Sequence, residues 1–281
     1  MKVGVHLQSI TAELVHQTII RRPAESHKGT YGRLMLIGGN QNYGGAIIMA
    51  ATAAVLSGAG LVTVATDASN FTSLHAQLPE AMVVDYHQTE FVSQLLKTMD
   101  VIVIGPGLGT DQLATHLLST VLAHVQANQR LVIDGSALTL LATRQQPLPA
   151  VPIVVTPHQM EWQRLSGLKI ADQTPTANHL AQQRLGVTAV VKAHHTTIYT
   201  DDRVWFNPGG TPAMATGGMG DTLAGMIGGF TAQFKDFTNA ILSAVYLHSE
   251  IADDLAQSRY VVLPHQISAE IPKYMHRYSL N

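Results

Sequence analysis

The chain has 281 residues, 17 Lys and Arg against 19 Asp and Glu, a formal net charge of −2 and no cysteine. These figures exclude disulfides, thiolate metal sites and Cys nucleophiles, and without a basic run they argue against a nucleic-acid or anionic-membrane surface. Apolar residues at 46% supply a sizeable core, while charged residues at 13% leave a surface with apolar patches to bury, so a homo-oligomer is expected.

The N-terminal stretch MKVGVHLQSITAELV has no apolar core followed by a cleavage site, so no signal peptide is expected and the chain reads as cytoplasmic. Residues 1–26 are expected to be an N-terminal helical extension of one domain, 1–281. LMLIGG (34–39) predicts a strand ending in glycines, GAIIMAATAAVLSG (45–58) a helix and LVTVAT (61–66) a strand. No charge occurs between Arg33 and Asp67, and Ala46–Ala65 is long enough to span a bilayer. Ser57-Gly58-Ala59-Gly60 breaks that run, so it reads as buried helix, turn and buried strand.

MVVDY (82–86) and VIVIGPG (101–107) read as strands, the second running into a Gly-rich turn. DQLATHLLSTVLAHV (111–125) is a helix with Asp111 in its first turn. LVIDG (131–135) and PIVVTPH (152–158) are strands, NHLAQQRLG (178–186) a helix closed by glycine, AVVKA (189–193) a strand, and TTIYTDDRVWF (196–206) a hairpin turning at Asp201-Asp202. From Gly217 the pattern is helical. Segments 142–151 and 166–176 read as loops. Strand–helix alternation of this kind predicts an α/β fold with a mostly parallel sheet covered on both faces. Ligands then bind beyond the carboxyl ends of the strands, where Gly38-Gly39, Gly105–Gly109, Asp134-Gly135, Pro157-His158 and Lys192 fall.

The most informative stretch is NPGGTPAMATGGMGDTLAGMIGGF (207–230). Gly217, Gly218 and Gly220 expose backbone N–H groups at the start of a helix, an arrangement that holds phosphoryl oxygens. Asp221 beside them is placed to accept a proton from an attacking hydroxyl. The alternative is a glycine turn with Asp221 as a helix cap. Against it, no other charge occurs from 204 to 234, and an isolated carboxylate in so apolar a run is costly unless exposed, capped or used. Neither a Walker sequence nor GxGxxG is present.

With these residues in view, HKGTYGRLMLIGGN (27–40), SGAGLVTVAT (57–66), IGPGLG (104–109), LVID (131–134), TPHQMEWQRL (156–165) and NPGGTPAMATGGMGDTLAG (207–225) together resemble the ADP-dependent (S)-NAD(P)H-hydrate dehydratases. The resemblance runs in order from about His27 to His248. It implies a ribokinase-like three-layer fold and a reaction in which ADP and Mg²⁺ serve the dehydration of the 6S hydrates of NADH and NADPH, releasing AMP and phosphate. A separate epimerase is expected, because the stretch ahead of His27 has no room for the epimerase domain of bifunctional relatives.

The resemblance assigns substrate contacts to Ala46, Gly107, Gly109, His158 and Asp221, with Asp221 as catalytic base. It assigns nucleotide contacts to Lys192, Ala193, His194, His195 and Thr196 and to Gly217, Gly218 and Gly220. Each position has a plainer reading. Ala46 opens a helix packed on the sheet, the glycines of 105–109 make a tight βα turn, and His158 is a structural histidine. Lys28 and Arg33 meet substrate phosphates or serve a surface or subunit contact. No metal site is expected from His158 with Glu161 or from the adjacent His194 and His195, whose side chains diverge on an extended strand. Met214, Met219 and Met226 read as packing.

The family loop usually reads Lys-Gly-x-x-Thr, so Ala193 and the two histidines depart from it. Gly135-Ser136 and Gln159-Met160 depart from the usual Ala-Asp and Pro-Gly. At an ordinary carboxylate pKa near 4, Asp221 is expected to be a weak base with late proton transfer. Two rivals are an ATP-dependent small-alcohol kinase of the same fold, which would release a stable phosphorylated product, and a non-catalytic nucleotide sensor.

Overall fold

A computed structural model of the chain describes residues 6–143 and 148–280. In chain order the elements are β1 (Leu7–Ser9), α1 (Ala12–Thr18), β2 (Arg33–Ile37), α2 (Gly44–Leu56), β3 (Leu61–Thr66), α3 (Phe71–Gln77) and β4 (Met82–Asp85). They continue with α4 (Thr89–Leu96), β5 (Val101–Ile104), α5 (Gln112–His124), β6 (Arg130–Ile133), α6 (Ser136–Ala142), β7 (Ile153–Val155), α7 (Gln159–Ser166) and α8 (Pro175–Leu185). The chain closes with β8 (Thr188–Val191), β9 (Thr197–Tyr199), β10 (Val204–Phe206), α9 (Met219–Gln233), α10 (Phe237–Ala256) and α11 (Pro264–Tyr278).

The strands form one sheet in the order β1-β10-β9-β8-β7-β6-β5-β2-β3-β4, in which β9 runs against the others. Past the arginines that open β2 and β6, its central strands β2, β5, β6 and β7 are wholly apolar because both faces are covered. Leu34, Leu36, Val101 and Val103 point into a core shared with α2, α9, α10 and α11. Their neighbours Met35, Ile37, Ile102 and Ile104 point into a second core with α4 to α8. This is the three-layer arrangement expected from the alternation of elements.

α2 is buried along most of its length, with Ala50, Ala51, Ala53 and Ala54 fully inaccessible. Small residues let it meet α9 closely. A Cβ at Gly225 would collide with the Ala50 carbonyl, and one at Gly229 would come within 2.7 Å of Ser57 Cβ. The helix–turn–strand reading of 45–66 therefore holds, and among the described residues no helix is long and apolar enough to cross a membrane.

Several expectations shift in detail. Residues 7–18 supply an edge strand as well as a helix, with β1 pairing parallel to β10. Asp111 is the N-cap of α5 rather than a first-turn residue, its Oδ1 accepting from the Ala114 N–H at 2.8 Å. α8 starts at Pro175, ahead of the expected 178, because Thr174 caps it and proline suits the first turn. α11 continues the helical pattern expected from Gly217 onward. In the expected loop 142–151, residues 144–147 lie outside the described residues.

Candidate active site

The carboxyl ends of β2, β5, β6, β7 and β8 bring the expected segments to one edge of the sheet. The first wall is almost all backbone. The Gly39 and Asn40 N–H groups donate to the carbonyls of Pro106 and Gly107 at 2.8 and 2.7 Å, locking the two Gly-rich loops together. Gly107 has φ +62°, and a Cβ there would collide with the Tyr43 carbonyl and come within 3.0 Å of Ala46 Cβ. Ala46, in the first turn of α2, and Gly107 are therefore neighbours. Gly109, at φ +85°, lies against the Asn40 side chain, where a Cβ would be 2.7 Å from Nδ2. This strip has no charged side chain and no room for a larger one at Gly107.

The second wall carries the charge. Asp134 ends β6 and is buried, its Oδ1 accepting from Thr156 Oγ1 at 2.6 Å and from Lys192 Nζ at 3.0 Å. Lys192 continues β8 by a bridge to His158, and its N–H donates to the Pro157 carbonyl at 2.8 Å. Its Nζ also sits 3.0 Å from where a Cβ on Gly220 would lie, so it reaches the first turn of α9. Burial works against the Lys192 ammonium, but Asp134, Glu161 and Asp221 outweigh it and hold the group protonated above its usual range.

α9 begins at Gly218, which has φ +93° and no space for a side chain beside Met49 of α2 and Pro264 of α11. Gly217 opens onto free space. The first N–H groups of a fifteen-residue helix thus point outward beside Asp221. Burial, followed by repulsion from Asp134, pushes the Asp221 carboxyl up, Lys192 pulls it part of the way back, and it settles at about 6. This corrects the expectation of an ordinary carboxylate: Asp221 is a stronger base than the sequence implies and is ionised at neutral pH.

His158 is the N-cap of α7. Its Nδ1 accepts from the N–H groups of Met160 (3.1 Å) and Glu161 (3.3 Å), and its own N–H donates to Glu161 Oε2 at 2.8 Å. The ring remains half-exposed at the rim, beside the Lys192 bridge. His194 and His195 do not diverge as expected: they lie in a bend after β8 rather than on an extended strand and stack at 4.2 Å, and His195 tilts onto Phe206 at 5.1 Å. Ala193 and His194 are exposed, while Thr196 is half-buried with its carbonyl accepting from the Asn207 N–H at 2.9 Å. Met226 is fully buried, and Met214 and Met219 pack against the same core.

Lys28, in the turn before β2, and Arg33, its first residue, lie at the amino end of the strand, the end opposite the carboxyl-end loops of this site.

Three participants were not singled out as site residues. Asp134 has a visible signal, a carboxylate ending the apolar strand LVID. Glu161 was noticed only as a possible metal partner of His158. His248, buried in α10, interacts with the Met219 backbone; burial and the Lys192 charge push it down to about 4, so it is neutral. A lone histidine in an apolar helix gave no hint of that role.

The chain is similar to known proteins in both sequence and fold. The sequence matches the NAD(P)H-hydrate dehydratase family over residues 34–273. It is 78% identical over 273 residues to an ADP-dependent (S)-NAD(P)H-hydrate dehydratase of Lactiplantibacillus plantarum, spanning 97% of this chain and 98% of that one. A crystal structure of a ribokinase-like superfamily protein from Enterococcus faecalis superposes with a TM-score of 0.96 at 50% identity, over 98% of this chain and 97% of that one. The ADP/ATP-dependent NAD(P)H-hydrate dehydratase from Bacillus subtilis, co-crystallized with ATP/Mg²⁺, gives 0.87 at 31% identity, over 98% and 100%. A Lys192–Asp134 ion pair, an open helix N-terminus and a carboxylate shifted toward neutrality thus sit on a fold and sequence shared along their length with these proteins, and the chain belongs to the family of ADP-dependent (S)-NAD(P)H-hydrate dehydratases, ribokinase-like enzymes of metabolite repair.

Proposed function

We propose that the site phosphorylates the ring hydroxyl of the 6S hydrate of NADH or NADPH with the terminal phosphoryl group of ADP, and that the phosphate then leaves. The observation that carries this reading is Asp221: a carboxylate with its pKa at about 6, beside exposed N–H groups at the start of α9. Hydroxide is a poor leaving group and phosphate a good one. The hydroxyl oxygen attacks the terminal phosphorus, its proton passes to Asp221, and the bond to the AMP oxygen breaks. The N–H groups of the Gly217–Gly220 turn hold the transferring oxygens. Expulsion of phosphate, driven by the ring nitrogen's lone pair, leaves an iminium cation, and loss of a proton from the adjacent ring carbon to water then restores the reduced nicotinamide. ADP and the hydrate are consumed, and AMP, phosphate and NAD(P)H result.

The remaining residues position the reactants. Gly107, Gly109 and Ala46 admit the hydrated dinucleotide close to the backbone, and His158 contacts it from the rim. The Lys192–Thr196 loop receives the nucleotide, with Lys192 directed at its phosphates and the His194–His195 stack beside it.

Asp134, Glu161 and Asp221 around one ammonium leave the centre short of positive charge. That donor set fits a Mg²⁺ brought in on the diphosphate. Among the described residues no three ligating side chains form a cage, and Mg²⁺ commonly binds through one or two carboxylates plus phosphates. Glu161, whose Oε1 is not used by the α7 cap, would hold it, and the ion would offset charge on the transferring group.

The test is recovery of the near-UV absorbance of reduced nicotinamide from NADPH hydrate and Mg²⁺, with ADP, ATP or no nucleotide. Recovery with ADP together with AMP release is expected. Recovery with ATP alone would replace the donor. Nucleotide binding without recovery would sink the reading in favour of the kinase or the sensor. Since only the S hydrate is the substrate, adding an epimerase to a mixture of epimers should raise the final yield.

A further inference from the structure

The signature His27–Arg33 is not used by the site above. It packs at the far edge of the sheet, where a Cβ on Gly60 would collide with the Lys28 carbonyl and one on Gly32 with the backbone of Ala232. Thr30 and Tyr31 of this segment, together with the C-terminal ends of α1, α2, α9 and α11, wall a half-enclosed cavity of about 940 Å³. That volume is within the range of small-molecule sites. α2 and α9 have their N-terminal turns at the catalytic centre and their other ends here, which sets the cavity roughly 20 Å from Asp221 at 1.5 Å per residue.

The lining is mostly apolar, built from Ile19, Ile20, Val55, Leu56, Phe234 and Met275. Its polar groups divide in two. Arg22 is committed: it donates to the Gly58 carbonyl and to Gln233 Oε1, and its guanidinium stacks 3.7 Å from the Tyr31 ring centre. Asp236 is committed as the N-cap of α10, accepting from the Asn239 N–H. Arg21 and Lys235 line the same cavity, are exposed, and make no ion pair with any described residue. An apolar chamber with two uncommitted cations on its rim is complementary to a molecule with an apolar body and one anionic head.

We propose that this cavity is a second ligand site, taking a small amphipathic anion whose apolar body fills the space between the ends of α2, α9 and α11 and whose anionic head meets Arg21 and Lys235.

The test uses anilinonaphthalenesulfonate as the probe, followed by fluorescence, with decanoate and ADP as competitors. The expected result is one saturable site per chain, displaced by decanoate and indifferent to ADP. Affinity should fall about tenfold in R21E/K235E. K235E alone, a change at an exposed and unpaired side chain, should show part of the loss if the double variant folds poorly. Unsaturable binding, equal affinity in the charge-reversed variants or displacement by ADP would each overturn the proposal. So would absence of probe binding together with a change in oligomeric mass on charge reversal, which would make the cavity a face between copies of the chain. Probe binding is read without turnover, so this result stands apart from the outcome of the repair assay.

Discussion

The two walls of the candidate site offer a ligand opposite kinds of contact. The wall from Gly39 to Ala46 and Gly105 to Gly109 has no charged side chain and works through backbone groups brought close by glycines. The wall from Asp134 through Lys192 to Asp221 is a part-buried charge cluster in which the Lys192 ammonium and the Asp221 carboxyl are shifted by burial and by their charged neighbours. The first is sensitive to volume and barely to pH. The second is sensitive to charge and pH and tolerates volume better. Substitutions on the two sides should therefore fail differently.

The largest effect is expected from Asp221→Asn. Loss of the base should cut kcat by about 10²–10⁴-fold with ADP affinity changed little, as read by single-turnover kinetics and equilibrium binding. The same variant should not lose stability at pH 7. The folded carboxyl holds its proton to about 6 against an ordinary aspartate value of 3.8, so its stabilising contribution is complete below 3.8 and is lost as pH rises through 6. Asn avoids that loss. A D221N protein that keeps wild-type turnover would erase the distinction between the walls.

Lys192→Met should be next. It leaves Asp134 buried without its cation, a change that costs about 3 kcal/mol in urea unfolding. D134N/K192M should recover much of that, because the two side chains form one unit. K192M should also move the acid limb of the rate profile to higher pH, since Lys192 is the group that pulls Asp221 down.

In the wild type, kcat/KM should fall as pH drops through about 6, while the KM for the hydrate stays level through that limb. Gly107→Ala should do the reverse. Its φ of +62° and the Tyr43 carbonyl leave no place for a methyl group, so the KM for the hydrate should rise about tenfold with the pH profile unmoved. The smallest effect is expected from His194→Ala, which removes one ring of an exposed stack. The KM for ADP should rise on the order of threefold. A larger change would give the histidine departure from the family loop a specific task.

The backbone wall was legible in the sequence because glycine carries its own signal. Gly105, Gly107, Gly109 and Gly218 all adopt positive φ, and no other residue does so comfortably. The helix start at Gly218, just ahead of Asp221, was legible for the same reason. The charge cluster was legible only in part, since Lys192 and Asp221 stood within motifs, whereas Asp134 looked like the end of a strand and His248 like a core residue. Their roles come from proximity across long stretches of chain, which neither periodicity nor local spacing encodes. The same holds for His27–Arg33, plain as a signature and silent about which edge of the sheet it occupies.

By itself the sequence determined the alternation of apolar strands and helices, the two-faced burial of the sheet and the glycines that open its carboxyl edge, because these follow from local periodicity and backbone freedom. The tertiary structure alone decided that Asp221 is a base near 6, that Lys192 is shared among three carboxylates, and that α2 and α9 end in a cavity far from the chemistry. Those properties depend on the dielectric and the distances created when separate segments meet, and these exist only once the chain has packed.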